Sequence, residues 1–148
     1  MTLWKAPPKA KVFEALSAVA DGRVRILSEG RAEVTSSSLD KVYRVRWSQG
    51  FATSNDNASK FQGYIGYPII AVLLQNGTLA YEPAQAALLK GVPWKQLNNR
   101  FMRDYDSAVD SVLSELSPQE AEGLRRSVDD IFRALMEMNL QRKSVKSV

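Results

Sequence analysis

The residues of this chain best suited to hold a ligand are cations and amides at short, regular spacings. Lys95, Gln96, Asn99 and Arg100, with Asn98 at the margin, lie within one short stretch, and a helix through them turns two cations and two amides outward. Arg103 follows. Arg23 and Arg25, and again Arg44 and Arg46, stand two apart, the spacing that puts both members of a pair on one face of a strand. Guanidiniums grip phosphates, and amides and guanidiniums read base edges. The candidate nucleic-acid-binding set is therefore Arg23, Arg25, Arg44, Arg46, Lys95, Gln96, Asn99, Arg100 and Arg103, for DNA or RNA. The alternative partner site is acidic: Asp106, Asp110 and Glu122 lie on helical patterns that would dock a basic protein or a second copy of the chain.

Catalytic chemistry has little to work with. Cysteine and histidine are both absent, which removes disulfides, thiolate nucleophiles, imidazole bases and zinc sites built from those residues. No glycine-rich phosphate loop ending in Gly-Lys-Ser/Thr and no Gly-x-Ser-x-Gly elbow occurs. The carboxylates Asp104, Asp106, Asp110, Asp129 and Asp130 have the spacing of solvated helix faces, and Ser36-Ser37-Ser38 with Lys41 reads as a polar turn. The expectation is a non-catalytic protein without metal or cofactor.

Charge is unevenly spread. Residues 1–103 carry fourteen Lys/Arg against seven Asp/Glu, whereas residues 104–140 carry three against nine. Such a split suits a polyanion at one end and a basic partner at the other. The longest apolar run, Ile69 to Leu74, is far short of the ~20 residues that span a bilayer. Met1-Thr2-Leu3-Trp4-Lys5 lacks the apolar core of a signal peptide. A cytoplasmic protein without a membrane partner is expected.

The positioning elements follow from periodicity. Val12, Phe13, Leu16 and Val19 recur at helix spacing and stop at Asp21-Gly22. Arg23 to Leu27 alternates, predicting a strand with both arginines outward; Ala32-Glu33-Val34 is a second strand. Val42 to Trp47 is the clearest strand, with Tyr43, Val45 and half-buried Trp47 on the inner face. Residues 50–63 read as loop. Ile69 to Gln75 is a buried helix closed by Asn76-Gly77. Helices then start at Glu82 or Pro83, ending at Gly91, and at Pro93, running through Phe101. Tyr105 to Leu116 repeats at three and four, and Ser117-Pro118-Gln119-Glu120 is a capping box that opens a last helix. The final two helices are expected to form an antiparallel hairpin.

Two segments resemble known families. Gly22 to Leu27, Ala32 to Ser38 and Lys41 to Val45, followed by Ala71-Val72-Leu73-Leu74, are similar to the strands and helix of the SWIM zinc finger over residues 22–77. Ala52-Thr53-Ser54 and Gly66-Tyr67-Pro68 then stand where its Cys-x-Cys and Cys-x-His would be, so all zinc ligands are lost. That resemblance implies binding to DNA or proteins, without zinc. Ala87 to Arg100 resembles a helix-turn-helix: Ala87 where the helices cross, Gly91 in the turn, then Val92 and Leu97.

The expected fold is α+β: a small antiparallel β-sheet after a short N-terminal helix, packed against a C-terminal helical bundle. It forms a single domain over 1–148, with a helix plus β-β-β-α unit at 9–77, a helical region at 78–140 and a basic, disordered tail at 141–148.

Overall fold

A computed structural model describes residues 3–142. It is an α+β fold. Helix α1 (Ala10–Ala20) is followed by strands β1 (Val24–Ser28), β2 (Arg31–Thr35), β3 (Val42–Ser48) and β4 (Phe51–Ser54), then a π-helical turn at Ala58–Gln62. Five further helices complete the chain: α2 (Tyr67–Gln75), α3 (Pro83–Ala87), α4 (Trp94–Arg100), α5 (Tyr105–Leu113) and α6 (Pro118–Glu137). The strands form one antiparallel meander in the order β1-β2-β3-β4.

Local chemistry explains where these elements begin and end. Gly22 takes a left-handed φ of 71°, and the N–H groups of Gly22 and Arg23 reach back to the carbonyls of Val19 and Ala18. That paired return closes α1 and aims the chain into β1. Later in the chain, Ser117 accepts from the Glu120 amide while the Glu120 carboxylate accepts from the Ser117 amide. The expected capping box is thus formed, with Pro118 at the first helical position.

Packing is layered. Pairing puts Val24, Ala32, Val34, Val45 and Ala52 on the inner face of the sheet, where α2 lies across all four strands. On its other side α2 packs against α1, and α1 in turn meets α3, α5 and α6. Every residue of α1 from Ala10 to Ala18 is buried. Trp94, 2% exposed, ties α4 to α1: its indole N–H donates to Ser17 Oγ at 2.7 Å, and the Ser17 hydroxyl donates to the Leu89 carbonyl at 2.7 Å.

Several expectations need correction. The segment 50–63 is not all loop: β4 and the π-helical turn lie within it. Phe51 to Ser54 carries only small or polar residues after Phe51, so propensity does not mark it, but the free edge of β3 and the backbone of Gln141 recruit it. Gln141 bridges Leu3 and Phe51, and Arg142 lies 5.0 Å above the Trp4 ring. The ordered chain therefore runs past residue 141; the rest of the expected tail, 143–148, lies outside the described residues. The α5–α6 hairpin is also looser than expected, because both helices pack more closely on α1 than on each other. Arg23 is buried at 8% exposure rather than outward, since it precedes β1 and its guanidinium donates to the Thr35 carbonyl and to Asp21.

Trp94 tests this packing. Trp94→Ala should destabilise the protein by about 3–5 kcal/mol in urea denaturation, the usual cost of deleting a buried aromatic. Trp94→Phe should cost less, as it retains most of the volume and loses the bond to Ser17.

Candidate functional site

α1 carries two charged side chains where a fully buried helix would be expected to carry none. Lys11 and Glu14 are both buried, and Lys11 Nζ lies 3.0 Å from Glu14 Oε2. The ammonium also sits 4.2 Å from the centre of the Tyr105 ring. Burial pushes the Glu14 carboxyl above its ordinary range, while Lys11 and Asn98 pull it back down. The Lys11 contact is ionic rather than a well-directed hydrogen bond, so Oε2 keeps unused accepting capacity; Asn98 Oδ1 is likewise buried with no donor.

These groups form the floor of a cavity of about 440 Å³. The turn before β1 contributes Arg23, β3 contributes Tyr43, the β2–β3 connection Ser36, Ser37 and Lys41, and the start of α2 contributes Tyr67. α4 adds Lys95, Asn98 and Asn99, and Arg103 and Tyr105 close the ring. Tyr43 and Tyr67 meet edge to face at 6.1 Å, and burial raises the pKa of both phenols, so they stay neutral hydrogen-bonding groups. Lys11, Arg23, Lys41, Lys95 and Arg103 give the lining five cations against the two acids Glu14 and Asp56.

Each wall has a local cause. Asp56 accepts from the Ser59 amide and hydroxyl at 3.1 and 2.8 Å, which winds the π-helical turn. Its carboxylate fills the space where a Cβ at residue 66 would go, so only glycine fits at the start of α2. The β2–β3 connection leans on α4: Ser37 Oγ accepts the Lys95 amide at 3.1 Å, and Lys95 Nζ lies 3.0 Å from Asp40 Oδ2. The hydroxyl of Ser38, then Lys95 and Ser36, hold the Asp40 carboxyl well below the usual range. Leu39, Met102 and Arg103 take left-handed φ values of 64°, 54° and 67° without being glycine. Such backbone is uncommon and gathers at functional sites.

The rim is unusual in a second way. Leu39, Phe61 and Met102 are 71%, 72% and 85% exposed, and each sits in a segment that lines the cavity. Of the three, Phe61 itself lines the cavity and offers a bound molecule an apolar surface.

The structure divides the nine expected nucleic-acid residues among three places. Arg23, Lys95, Asn99 and Arg103 line the cavity. Arg25, Arg44 and Arg46 stand exposed on the outer face of the sheet, opposite to inner-face Tyr43. Gln96 and Arg100 are exposed on α4 outside the lining. The nine residues therefore do not share one face. The helix-turn-helix geometry departs as well: Ala86, not Ala87, is buried, Trp94 points into the core, and the β2–β3 connection covers the first turn of α4. Gly91 does take the expected left-handed turn, with φ 79°. On the acidic side Asp106, Asp110 and Glu122 are exposed, but Asp110 pairs with Arg125 and Glu122 with Arg126.

Sequence reading missed Lys11, Glu14, Asp56 and the tyrosines. A signal existed for the first two. Ala10 and Ala18 make α1 small on the side away from Val12 and Leu16, the pattern of a helix buried all round, so a Lys and a Glu on that side face an internal space.

The Asp40 anchor gives a pH test. A carboxyl held below its ordinary pKa stabilises fully above that value and progressively less as pH falls through its folded pKa. Asp40→Asn should therefore be less stable than the parent near neutrality, with the gap in urea denaturation closing below about pH 4.

Among the described residues, no helix is long and apolar enough to cross a membrane, and no group of three or more Asp or Glu is placed to hold a metal ion. Comparison with curated proteins and with solved structures finds no match. A family profile does match residues 4–141, and the chain belongs to that family, the uncharacterised conserved protein UCP014422.

Proposed function

We propose that the protein is a non-catalytic receptor for a small organic anion bearing an apolar or aromatic part, held in the cavity between α1, the sheet and α4. The observation that carries this reading is the excess of cations on the lining: Lys41 and Arg103 have no acidic partner among the described residues. A volume of about 440 Å³ suits a ligand of metabolite size. The anionic end belongs with Lys41 and Arg103, the lining cations that Asp21, Glu14 and Asp40 leave unpaired, where charge-assisted bonds are strongest. A donor on the ligand reaches Asn98 Oδ1 or Glu14, the acceptors that the protein leaves short. Phe61, exposed and on the lining, then covers the apolar part.

The nucleic-acid reading through α4 loses ground here, because Lys95 already has Asp40 and the cavity is too small for a duplex. The adaptor reading through Asp110 and Glu122 is weakened by their local arginines.

The test is thermal melting against mononucleotides, sugar phosphates and aromatic carboxylates, each beside a neutral analogue. At a hundred times its dissociation constant, a ligand of the right class should raise the melting temperature by about 5–10 °C. Lys41→Ala with Arg103→Ala should weaken its binding by at least about tenfold, the loss of a charge-assisted bond. Equal shifts from neutral analogues, or no shift from any anion, would remove the proposal.

A further inference from the structure

The outer face of the sheet holds a second concentration of charge that the cavity does not use. Inner-face residues of β1, β2 and β3 meet α2, so their alternate neighbours Arg25, Arg31, Glu33, Arg44 and Arg46 share the opposite face. Register fixes the pattern. Arg25, Glu33 and Arg44 lie in one row across the three strands, and Arg31 stands directly opposite Arg46 in the next. All four arginines are exposed, and none is in an ion pair among the described residues.

Like charges directly opposite each other destabilise an antiparallel pair. The Arg31–Arg46 pairing is therefore a cost to the fold at a position where core packing demands nothing. Glu33 balances the neighbouring row of Arg25 and Arg44, and an external anion at Arg31 and Arg46 would turn the repulsion into attraction.

We propose that this face binds the sugar-phosphate backbone of nucleic acid, with Arg25, Arg31, Arg44 and Arg46 each holding a phosphate. Strand spacing and residue rise make the patch about 10 by 7 Å, enough to meet several phosphates of one strand. Guanidinium is the side chain whose fork matches a phosphate with two parallel bonds. Thr35, Val42, Ser48, Thr53 and the half-buried ring of Phe51 share the face with the four arginines. The only amide beside the arginines, Asn55, is already bonded through its oxygen to the Arg44 N–H, and Phe51 is half-buried at the edge, so recognition rests on the backbone and is blind to sequence. The chemistry is separate from that of the cavity, whose lining includes none of these arginines.

Fluorescence anisotropy with labelled duplexes of two unrelated sequences tests the proposal. Both should bind equally, and four phosphate contacts should cost about 100-fold in affinity when salt rises from about 50 to 200 mM. Arg31→Gln with Arg46→Gln should bind more weakly and lose only about 10-fold over the same rise, two contacts having gone. Its melting temperature should match or exceed the parent's, because a repelling pair is removed. If it melts lower, Arg31→Lys with Arg46→Lys keeps the charge and should keep the parent's salt dependence. The cavity variant Lys41→Ala with Arg103→Ala should leave that dependence unchanged, which separates failure here from failure of the receptor reading. No binding at about 100 micromolar protein in low salt, weaker than ordinary non-specific affinity, overturns the proposal. So does an unaltered salt dependence in the Gln variant, or tighter binding to phosphatidylglycerol vesicles than to either duplex.

Discussion

The architecture depends on a helix that scarcely touches water. α1 is covered by α2 on one side and by α3, α5 and α6 on others, and its buried stretch includes Lys11, Glu14 and Ser17. A polar group in such a place must be satisfied by neighbours, since leaving it unpaired costs more than the hydrogen bond is worth. Ser17 meets that demand through Trp94 and the Leu89 carbonyl, which fixes α4 and the end of α3 against α1. Lys11 and Glu14 meet it only in part through each other, with the face of Tyr105 and the amide of Asn98 beside them, and Glu14 Oε2 and Asn98 Oδ1 stay short of donors. The same two demands thus shape both the helical half and the cavity floor.

A buried ion pair is seldom the most stable choice, and apolar residues of similar volume often do as well or better. Its retention at the base of a cavity lined by five cations fits a site kept for its electrostatics. The walls carry further departures from relaxed structure: a π-helical turn and three non-glycine residues in the left-handed region. Such features are uncommon and tend to collect where a ligand is handled. Here they lie in the three segments that also expose Leu39, Phe61 and Met102. The exposed ring of Phe61 and the unpaired Lys41 and Arg103 lie on one lining, where a bound organic anion would meet both.

The sheet distributes its charge by parity. Tyr43 and Val45 on β3 face α2 while Arg44 and Arg46 face away, so a strand that closes the cavity on one side displays arginines on the other. That alternation was legible before any coordinates, as was the half-buried state of Trp47. Its consequence was not. Two arginine-bearing stretches, 23–25 and 44–46, looked alike in sequence, yet Arg23 turns inward to Asp21 and Thr35 because the strand begins one residue after it.

By itself the sequence determined the elements whose cause is local. The capping box at Ser117, the stop at Asp21-Gly22, the buried run closed by Asn76-Gly77 and the alternation of β3 each depend on residues within a few positions of one another. Tertiary structure alone decided what depends on neighbours distant in the chain. β4 exists because β3 and Gln141 offer it partners, and Arg23 is buried because Thr35 lies across from it. Lys95 turns to Asp40, fifty-five residues away, instead of to solvent. The cavity gathers side chains from α1, the sheet, the π-helical turn, α4 and α5, and no spacing along the chain encodes that meeting. Hydrogen-bonded turns are written in short range, whereas a site assembled by packing is fixed only when the helices and the sheet have closed on one another.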